Sequence, residues 1–276
     1  MVQLGRFNTL SVIRQVEFGV YLDGGKLGGI LLPSSEVPTD CELGDDLYVF
    51  VYLDSHDMPV ATLKKPYIQL GEFARLRVSQ TNDIGAFLDW GLPKELFLPF
   101  AQQPQKVEAG QRVTVFAYLD NSGRLAASAK LDRHFDKTPC TLAPGSEVDL
   151  FAWRPTELGY QMIVNHRWPA MLHRQDQVQN LHAGQSVKGY IKTLREDGKL
   201  DVMLHPPGYG RVHSVSDQLL EYLQQHQGFC PLHDKSDPEE IKRVFGVSKK
   251  AFKMAIGQLL KQGKLVQDEQ GLHLRG

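Results

Sequence analysis

Cysteine is scarce in this sequence. Its 276 residues include three cysteines, Cys41, Cys140 and Cys230, and no two of them form a CxxC pair. A disulfide framework or a cysteine-based zinc site needs more numerous or more closely spaced cysteines. We therefore expect neither, and a reducing compartment fits the composition.

Long apolar runs and a secretion signal are also missing. The longest apolar stretch, LYVFVYL at 47–53, is far shorter than the ~20 residues that cross a bilayer. The first residues, MVQLGRFNTLSVIRQ, lack a basic segment followed by an apolar run and a small-residue cleavage site. These absences predict a cytoplasmic protein without a membrane partner.

Neither sign of charge dominates, and motifs of catalysis are not found. The formal net charge is −1, so the whole chain lacks the strong positive field that drives indiscriminate binding to phosphate backbones. There is no HExxH pair, no phosphate-binding loop and no GxSxG elbow, and GGKLGG at 24–29 is better explained as a hairpin turn. We expect no enzymatic activity, no metal site and no cofactor.

What the sequence does contain is one pattern repeated three times. Two alternating segments joined by a short polar turn recur as LGDDLYVFVYLDSHDMPVATLK at 43–64, AGQRVTVFAYLDNSGRLAASAK at 109–130 and AGQSVKGYIKTLREDGKLDVML at 183–204. Upstream of them lie FGVYLD, IGAFLD and LGYQMI. A spacing of roughly 65 to 75 residues suits a five-stranded barrel that folds by itself.

Alternation along a strand predicts which side chains face the barrel core. The inward positions of the first two repeats are Leu47, Val49, Val51, Leu53, Val113, Val115, Ala117 and Leu119. The outward positions are Tyr48, Phe50 and Tyr52, then Thr114, Phe116 and Tyr118, and in the third repeat Lys188, Tyr190 and Lys192. The outward rings either bind a ligand or form seams between barrels, and the pattern leaves both interpretations open.

From about residue 212 the spacing becomes helical. SVSDQLLEYLQQHQG is amphipathic, and a second helix starts where Asp237 and Pro238 supply a cap and a first turn. Ser248 caps a third helix, KKAFKMAIGQLLKQG, and the pattern of KLVQDEQGLHLRG predicts a hairpin. The order helix, helix, helix, hairpin is that of a winged helix.

These motifs resemble a known family. QLGEFARLRVSQTNDIGAFLDWG at 69–91, followed by GQRVTVFAYLDNSGRLAASAK, is similar to the S1 RNA-binding domain. The wider arrangement, with ILLP at 30–33 and LFLP at 96–99, resembles the conserved virulence factor B family of bacterial S1-like proteins. The resemblance implies RNA binding, a part in post-transcriptional gene regulation and no catalysis.

The predicted fold is therefore multidomain and mainly β. We expect three S1-like OB-fold β-barrels in tandem, at 1–66, 67–134 and 144–206, the third one divergent, and a C-terminal α/β winged-helix domain at 212–276. The barrels supply sheets that can carry exposed rings, and the winged helix supplies a basic helix.

The resemblance also implies site residues. S1 domains bind RNA with two aromatic side chains, a histidine on the third strand and an aspartate with an arginine around the last turn. The first repeat offers Phe18, Tyr21 and Asp54, the second offers Phe87, Asp120 and Arg124, and the third offers His173 and Lys199. The repeats depart from this pattern at Pro33, Met58, Ile84, Pro99, Leu158 and Gln161. No repeat carries the whole set, and packing is the alternative role for each ring.

Charge shifts the expected contact toward the later domains. Acidic residues outnumber basic ones in the first repeat, which would repel a phosphate backbone. In the third repeat Lys188, Lys192 and Lys199 surround Tyr190, and in the last helix Lys249, Lys250 and Lys253 form a basic start. These helix lysines suit phosphates of RNA or DNA, while sequence-specific DNA reading and a structural role remain alternatives.

The leading functional hypothesis is single-stranded RNA binding with low sequence specificity, in post-transcriptional regulation, with DNA as a further partner of the winged helix. One alternative is a transcriptional regulator whose winged helix reads duplex DNA. Another is a scaffold that contacts the ribosome or a nuclease. The oligomeric state is not predicted by any feature of the sequence.

Overall fold

The chain forms three closed five-stranded barrels followed by a small helical domain. This architecture confirms the predicted fold class. The computed structural model describes residues 1–177, 179–206, 209–268 and 270–275, and only the backbone of 209–214. No helix within these residues is long and apolar enough to cross a membrane.

Each barrel uses the same strand order. Barrel 1 consists of β1 (Arg6–Val16), β2 (Gly19–Asp23), β3 (Gly29–Pro33), β4 (Asp46–Leu53) and β5 (Pro59–Thr62). Barrel 2 consists of β6 (Phe73–Thr81), β7 (Gly85–Asp89), β8 (Leu96–Pro99), β9 (Arg112–Leu119) and β10 (Leu125–Ser128). Barrel 3 consists of β11 (Glu147–Thr156), β12 (Gly159–Val164), β13 (Trp168–His173), β14 (Ser186–Leu194) and β15 (Leu200–Met203). In all three, the third strand pairs in parallel with the fifth, and the fourth strand closes the barrel on the first.

A β-bulge recurs in the first strand of each barrel. The register shifts between Val12 and Arg14 in β1, and the same irregularity occurs in β6 and β11. A bulge bends a strand and increases its twist, which helps a short sheet to close. After the bulge, the side chains at Arg14, Gln80 and Arg154 stand opposite the middle of the second strand.

Barrels 1 and 2 share a packed seam. Phe50 of β4 is fully buried, belongs to the core cluster of barrel 2, and lies 5.8 Å from Trp90, measured between ring centroids. Tyr52 also packs there, with its ring 6.0 Å from that of Trp90. The two outward rings of β4 therefore form an interdomain contact. Their third neighbour, Tyr48, remains 64% exposed.

The inward pattern is wrong at one position. Alternation predicts that Leu119 faces the core of barrel 2, but its side chain is exposed. It is the last residue of β9, beside the turn that starts at Asp120. Its cross-strand partner is Leu125, the first residue of β10, so Leu119 lies at the end of the barrel, where alternation no longer fixes burial.

A second seam joins barrels 2 and 3. Phe73, Leu131, Phe151 and Ile163 are buried together, and Phe116 packs on their cluster. The connection between the barrels is tied down as well, since the indole N–H of Trp168 donates to the carbonyl of Thr138 at 2.9 Å. The outward ring of Phe116 thus has the same packing role in barrel 2 that Phe50 has in barrel 1.

His166 makes this seam sensitive to pH. Its Nδ1 accepts a hydrogen bond from the backbone N–H of Phe73 at 2.9 Å. Burial lowers the pKa of His166, although the nearby Glu72 and Asp149 act in the opposite direction. A protonated ring could not accept this bond. The folded protein therefore binds fewer protons than the unfolded chain between the lowered pKa and the ordinary value of about 6.5.

We expect stability to fall as the pH drops through that window. The variant His166→Asn keeps an acceptor but does not titrate, and Asn tolerates the positive φ of 53° found here. The opening free energies of barrels 2 and 3, obtained from hydrogen exchange in urea between about pH 7.5 and about pH 5.5, should therefore decline less in this variant than in the wild type. Parallel declines in the two proteins would assign the effect to other groups, such as His134, whose pKa is also lowered chiefly by burial.

The C-terminal domain is a winged helix. It contains α1 (Tyr209–Gln225), α2 (Pro238–Phe245) and α3 (Lys249–Lys261), and a sheet of β16 (Phe229–Cys230), β17 (Leu265–Gln267) and β18 (Leu272–Leu274). The side chains of Asp237 and Ser248 cap α2 and α3. Helix α1 begins before residue 212, where the sequence pattern becomes helical. The sequence pattern also misses β16, because two residues carry no periodicity.

Candidate nucleic-acid interface

The same corner of every barrel carries an exposed apolar side chain. Phe18, Ile84 and Leu158 stand just before the second strand of their barrels and are 56%, 61% and 67% exposed. A glycine follows each of them and begins that strand. Large apolar groups exposed at equivalent places suggest a repeated binding surface rather than chance exposure.

In barrel 1 this corner forms an aromatic pair with a cation. The rings of Phe18 and Tyr21 are 6.4 Å apart and nearly perpendicular. The guanidinium of Arg14 lies 4.3 Å from the centroid of the Tyr21 ring, since the two residues are cross-strand partners after the bulge. The corner offers a flat apolar ring beside a positive charge, which suits a base and its phosphate.

In barrel 2 the corresponding rings are Phe87 and Phe97. They are half-buried cross-strand partners with centroids 5.3 Å apart. Nearby on the chain, the ammonium of Lys106 lies 5.3 Å from the centroid of the Phe100 ring. Ile84 occupies the place that Phe18 has in barrel 1. The face of barrel 2 therefore has aromatic rings, but its most exposed corner residue is aliphatic.

Asp120 and Arg124 are engaged in local contacts. The carboxylate of Asp120 accepts hydrogen bonds from the backbone N–H groups of Ser122 and Arg124 and from the Ser122 hydroxyl. Arg124 forms an ion pair with Asp57 of barrel 1, which also lies 3.7 Å from Lys94. The turn between β9 and β10 therefore braces barrel 1 against barrel 2. An RNA contact by either residue remains a prediction.

In barrel 3 His173 belongs to a charged cluster. Its Nε2 lies 3.0 Å from Asp201, and Arg195 bonds the same carboxylate at 2.6 Å. Burial opposes ionisation of Asp201, but the hydrogen bonds from Arg195 and His173 outweigh it and lower the pKa of the carboxyl group. The cluster holds the His173 ring in place at the edge of the barrel face.

The lysines predicted in barrel 3 all have acidic partners. Lys188 bonds Asp149 at 2.9 Å, Lys192 bonds Asp176 at 2.7 Å and Lys199 bonds Asp197 at 2.7 Å. The hydroxyl of Tyr190 is 3.4 Å from Glu147. Exposed pairs such as those of Lys188 and Lys199 are weak, so a phosphate can replace the carboxylate. The pair of Lys192 is different, because the Asp176 carboxylate is buried and removing its partner is costly.

The basic start of α3 is divided in the same way. The ammonium of Lys249 donates to the carbonyls of Lys235 and Ser236, which anchors the helix to the preceding loop. Lys253 lies 3.6 Å from Asp234. Lys250 is exposed, and its side chain has no hydrogen bond or ion pair within the described part of the chain. Of the three predicted helix lysines, Lys250 is the one most available to a phosphate.

The structure adds residues that the sequence patterns do not reveal. Arg14 and Arg154 stand opposite Tyr21 and Gln161, and Phe97 stands opposite Phe87. Arg14 and Arg154 both follow the bulge of the first strand in their barrels. An alignment of the repeats at this position could have identified them from the sequence. Arg195 has no such signal, because its role depends on contact with Asp201. Among the described residues no group of three or more side chains could hold a metal ion.

The fold and these faces define a class of protein: tandem S1-type barrels followed by a winged helix. The S1 domain family matches residues 4–64 and 70–130, and the CvfB-like winged helix domain family matches 217–274. With these domains the chain is similar to the conserved virulence factor B family. S1 domains support nucleic-acid binding by this chain.

Relatives extend over almost the whole chain. Conserved virulence factor B of Staphylococcus epidermidis is 28% identical over 279 residues, which is 97% of this chain and 93% of that protein. Bacillus subtilis has an uncharacterized protein, YitL, that is 28% identical over 96% of this chain and 91% of its own length. A solved multidomain protein with nucleic acid binding domains from Streptococcus pneumoniae is 24% identical, covers 99% of this chain and 98% of its own, and has a TM-score of 0.41.

Proposed function

We propose that this protein binds single-stranded RNA with low sequence specificity and acts in post-transcriptional regulation, without catalytic activity of its own. The observation that carries the proposal is the exposed apolar side chain repeated at Phe18, Ile84 and Leu158, next to half-buried groups on the second strands. Bases of a single strand expose both π faces, whereas those of a duplex are stacked away.

The chemistry of these faces explains why the specificity is low. The barrel 1 face presents the ring of Phe18 and the cation–π pair of Arg14 with Tyr21. Stacking on a ring accepts every base, and a guanidinium that contacts phosphate reads no sequence. With a net charge of −1, affinity must come from several weak local sites on one chain, which gain effective concentration by being linked.

The winged helix extends the binding surface in this proposal. Lys250 and Lys261 are exposed on α3, and Lys253 stands between them beside Asp234. These lysines contact backbone phosphates of RNA. DNA carries the same phosphates, so it remains the alternative partner of these lysines. Competition between a single-stranded RNA, a single-stranded DNA and a duplex DNA of one sequence separates the two. Preference for the duplex would support a transcriptional regulator instead.

Replacing Phe18 by alanine tests the proposal. Stacking contributes roughly 1 to 3 kcal/mol per base, so the dissociation constant for a short single-stranded RNA should rise by about 5- to 150-fold. Phe87→Ala should act in the same direction but less, since its ring is half-buried. Fluorescence anisotropy with a labelled oligonucleotide provides the measurement.

Tyr67→Ala is the matched control, because Tyr67 is 66% exposed but lies in the segment between barrels 1 and 2. The control should bind RNA like the wild type. Equal RNA affinities of Phe18→Ala and the wild type would show that the barrel faces do not bind RNA. Absence of any RNA binding, together with co-purification that survives nuclease treatment, would favour the scaffold function.

A further inference from the structure

A groove between barrels 2 and 3 lies beside the S1 faces and shares Arg154 with the face of barrel 3. It is a cavity of about 700 Å³ lined by side chains from β6, β9, β11 and β12 and from the turn at 181–183. Its polar lining includes Arg75, Arg112, Arg154 and His182. None of the described residues that line it is acidic. The groove is therefore positive in a chain whose net charge is slightly negative.

Arginines lie on neighbouring strands at this groove, where Arg77 stands between Asp89 of β7 and Arg112 of β9. Arg75 and Arg77 alternate with buried residues along β6 and so share its outer side, and Arg112 is the cross-strand partner of Arg77. Like charges opposite each other on neighbouring strands destabilise a sheet. Arg112 is exposed, and no side-chain hydrogen bond or ion pair engages it within the described chain. A bound anion would supply Arg112 with a counter-charge.

Arg75 is held in position by barrel 3. It donates a hydrogen bond to the carbonyl of Ala183 at 3.2 Å. It also packs over Gly184, where an added Cβ would come within 2.6 Å of the Arg75 Cβ. The absence of a side chain at Gly184 lets the arginine cross the seam. Contacts with barrel 3 thus hold the charge of Arg75 in the lining of the groove.

On the barrel 3 side, Arg154 forms a flat platform. Its guanidinium lies 4.4 Å from the centroid of the Trp153 ring, and its Nε donates to the Gln161 side chain at 2.7 Å. One face of the guanidinium is therefore on the indole, and its plane is fixed. Arginine planes stack on unpaired bases of RNA. Since Gln161 occupies the place of Tyr21 of barrel 1, the platform connects the groove to the face of barrel 3.

We propose that this groove binds the backbone of single-stranded RNA where the strand passes from barrel 2 to barrel 3. Arg75 and Arg112 contact phosphates, and Arg154 stacks on a base. The inference rests on the proposed RNA binding and adds a site between barrels to the three barrel faces. A phosphate at Arg112 supplies the counter-charge that no described side chain gives to this arginine.

The test is the double variant Arg112→Gln/Arg154→Gln in the full chain. Removing one phosphate interaction should lower the slope of log affinity against log salt by about 0.7, which weakens binding about fivefold near 0.1 M salt. We expect the double variant to bind at least this much more weakly than the wild type. The control Lys26→Gln/Lys65→Gln removes the same charge from two exposed side chains of barrel 1 and its outgoing segment, and it should leave the slope unchanged.

Crosslinking provides a second readout that does not depend on affinity. A photoreactive single-stranded RNA bound to the wild type should crosslink to peptides containing Thr114 or Trp153, which line the groove, and the double variant should lose these crosslinks. If the wild type binds RNA but the double variant matches the control in slope and crosslinks, the groove site is wrong while the proposed function stands. If the wild type binds no RNA, both fail.

Discussion

Phe50→Ala should destabilise the contact between barrels 1 and 2 by about 3 to 5 kcal/mol, the cost of truncating a buried phenylalanine. The ring is fully buried and touches the rings of Phe7, Tyr52 and Trp90, so its removal leaves a cavity lined by both barrels. We expect the destabilisation to appear in both domains, because the ring belongs to the core cluster of barrel 2 although β4 belongs to barrel 1.

Hydrogen exchange of the intact chain in urea measures this effect domain by domain. A single unfolding midpoint is not suitable, since several domains need not unfold in one step. Tyr48→Ala is the matched control, because Tyr48 is on the same strand and outward side but remains exposed and stacks on the ring of Phe7. It should cost about 1 kcal/mol. Equal protection in the two variants would show that the seam does not couple the barrels.

Gly19→Ala should have a comparable effect on barrel 1 and on its RNA face. Gly19 has a φ of +149°, and a Cβ there would lie 2.1 Å from the carbonyl oxygen of Leu32. This region of backbone conformation is essentially restricted to glycine and costs roughly 1 to 3 kcal/mol when forced, and displacement of β3 adds to that. We expect the free energy of unfolding of barrel 1 to fall by at least about 3 kcal/mol in total.

The consequence for binding follows from the position of this glycine. It joins Phe18 to the strand that carries Tyr21, so displacement of β2 from β3 separates the pair of rings. RNA affinity should therefore fall at least as far in Gly19→Ala as in Phe18→Ala. Gly44→Ala is the control, since its φ is also positive, at +92°, but no atom lies within 4 Å of the added Cβ. It should cost about 1 to 2 kcal/mol and leave RNA binding intact.

The aromatic seams show where a periodic pattern stops being informative. Alternation correctly places Phe50 and Phe116 on the outer sides of their strands, yet both rings are packed between domains. Whether an outward side chain meets water or another barrel depends on what covers the strand. Trp90, which covers Phe50, lies far along the chain in the next barrel, and no local pattern connects the two.

The ion pairs of the barrel 3 lysines also depend on the fold. A sequence shows that Lys188, Lys192 and Lys199 are present, but their partners Asp149, Asp176 and Asp197 are brought to them by the fold. The buried carboxylate of Asp176 makes Lys192 part of the structure of barrel 3, whereas Lys188 and Lys199 stay exposed. The prediction that lysines around Tyr190 bind RNA therefore rests chiefly on those two exposed side chains.

The number of barrels, their strand pattern and the winged helix were determined by the sequence alone. Each depends on signals within a few tens of residues: alternation, glycine-bearing turns and helix caps such as Asp237 and Ser248. The tertiary structure alone decided which outward faces are free, which cations are paired and where the arginines of neighbouring barrels meet. These outcomes depend on contacts between distant residues, such as His166 with the backbone of Phe73, 93 positions away, and burial and pairing are properties of those contacts.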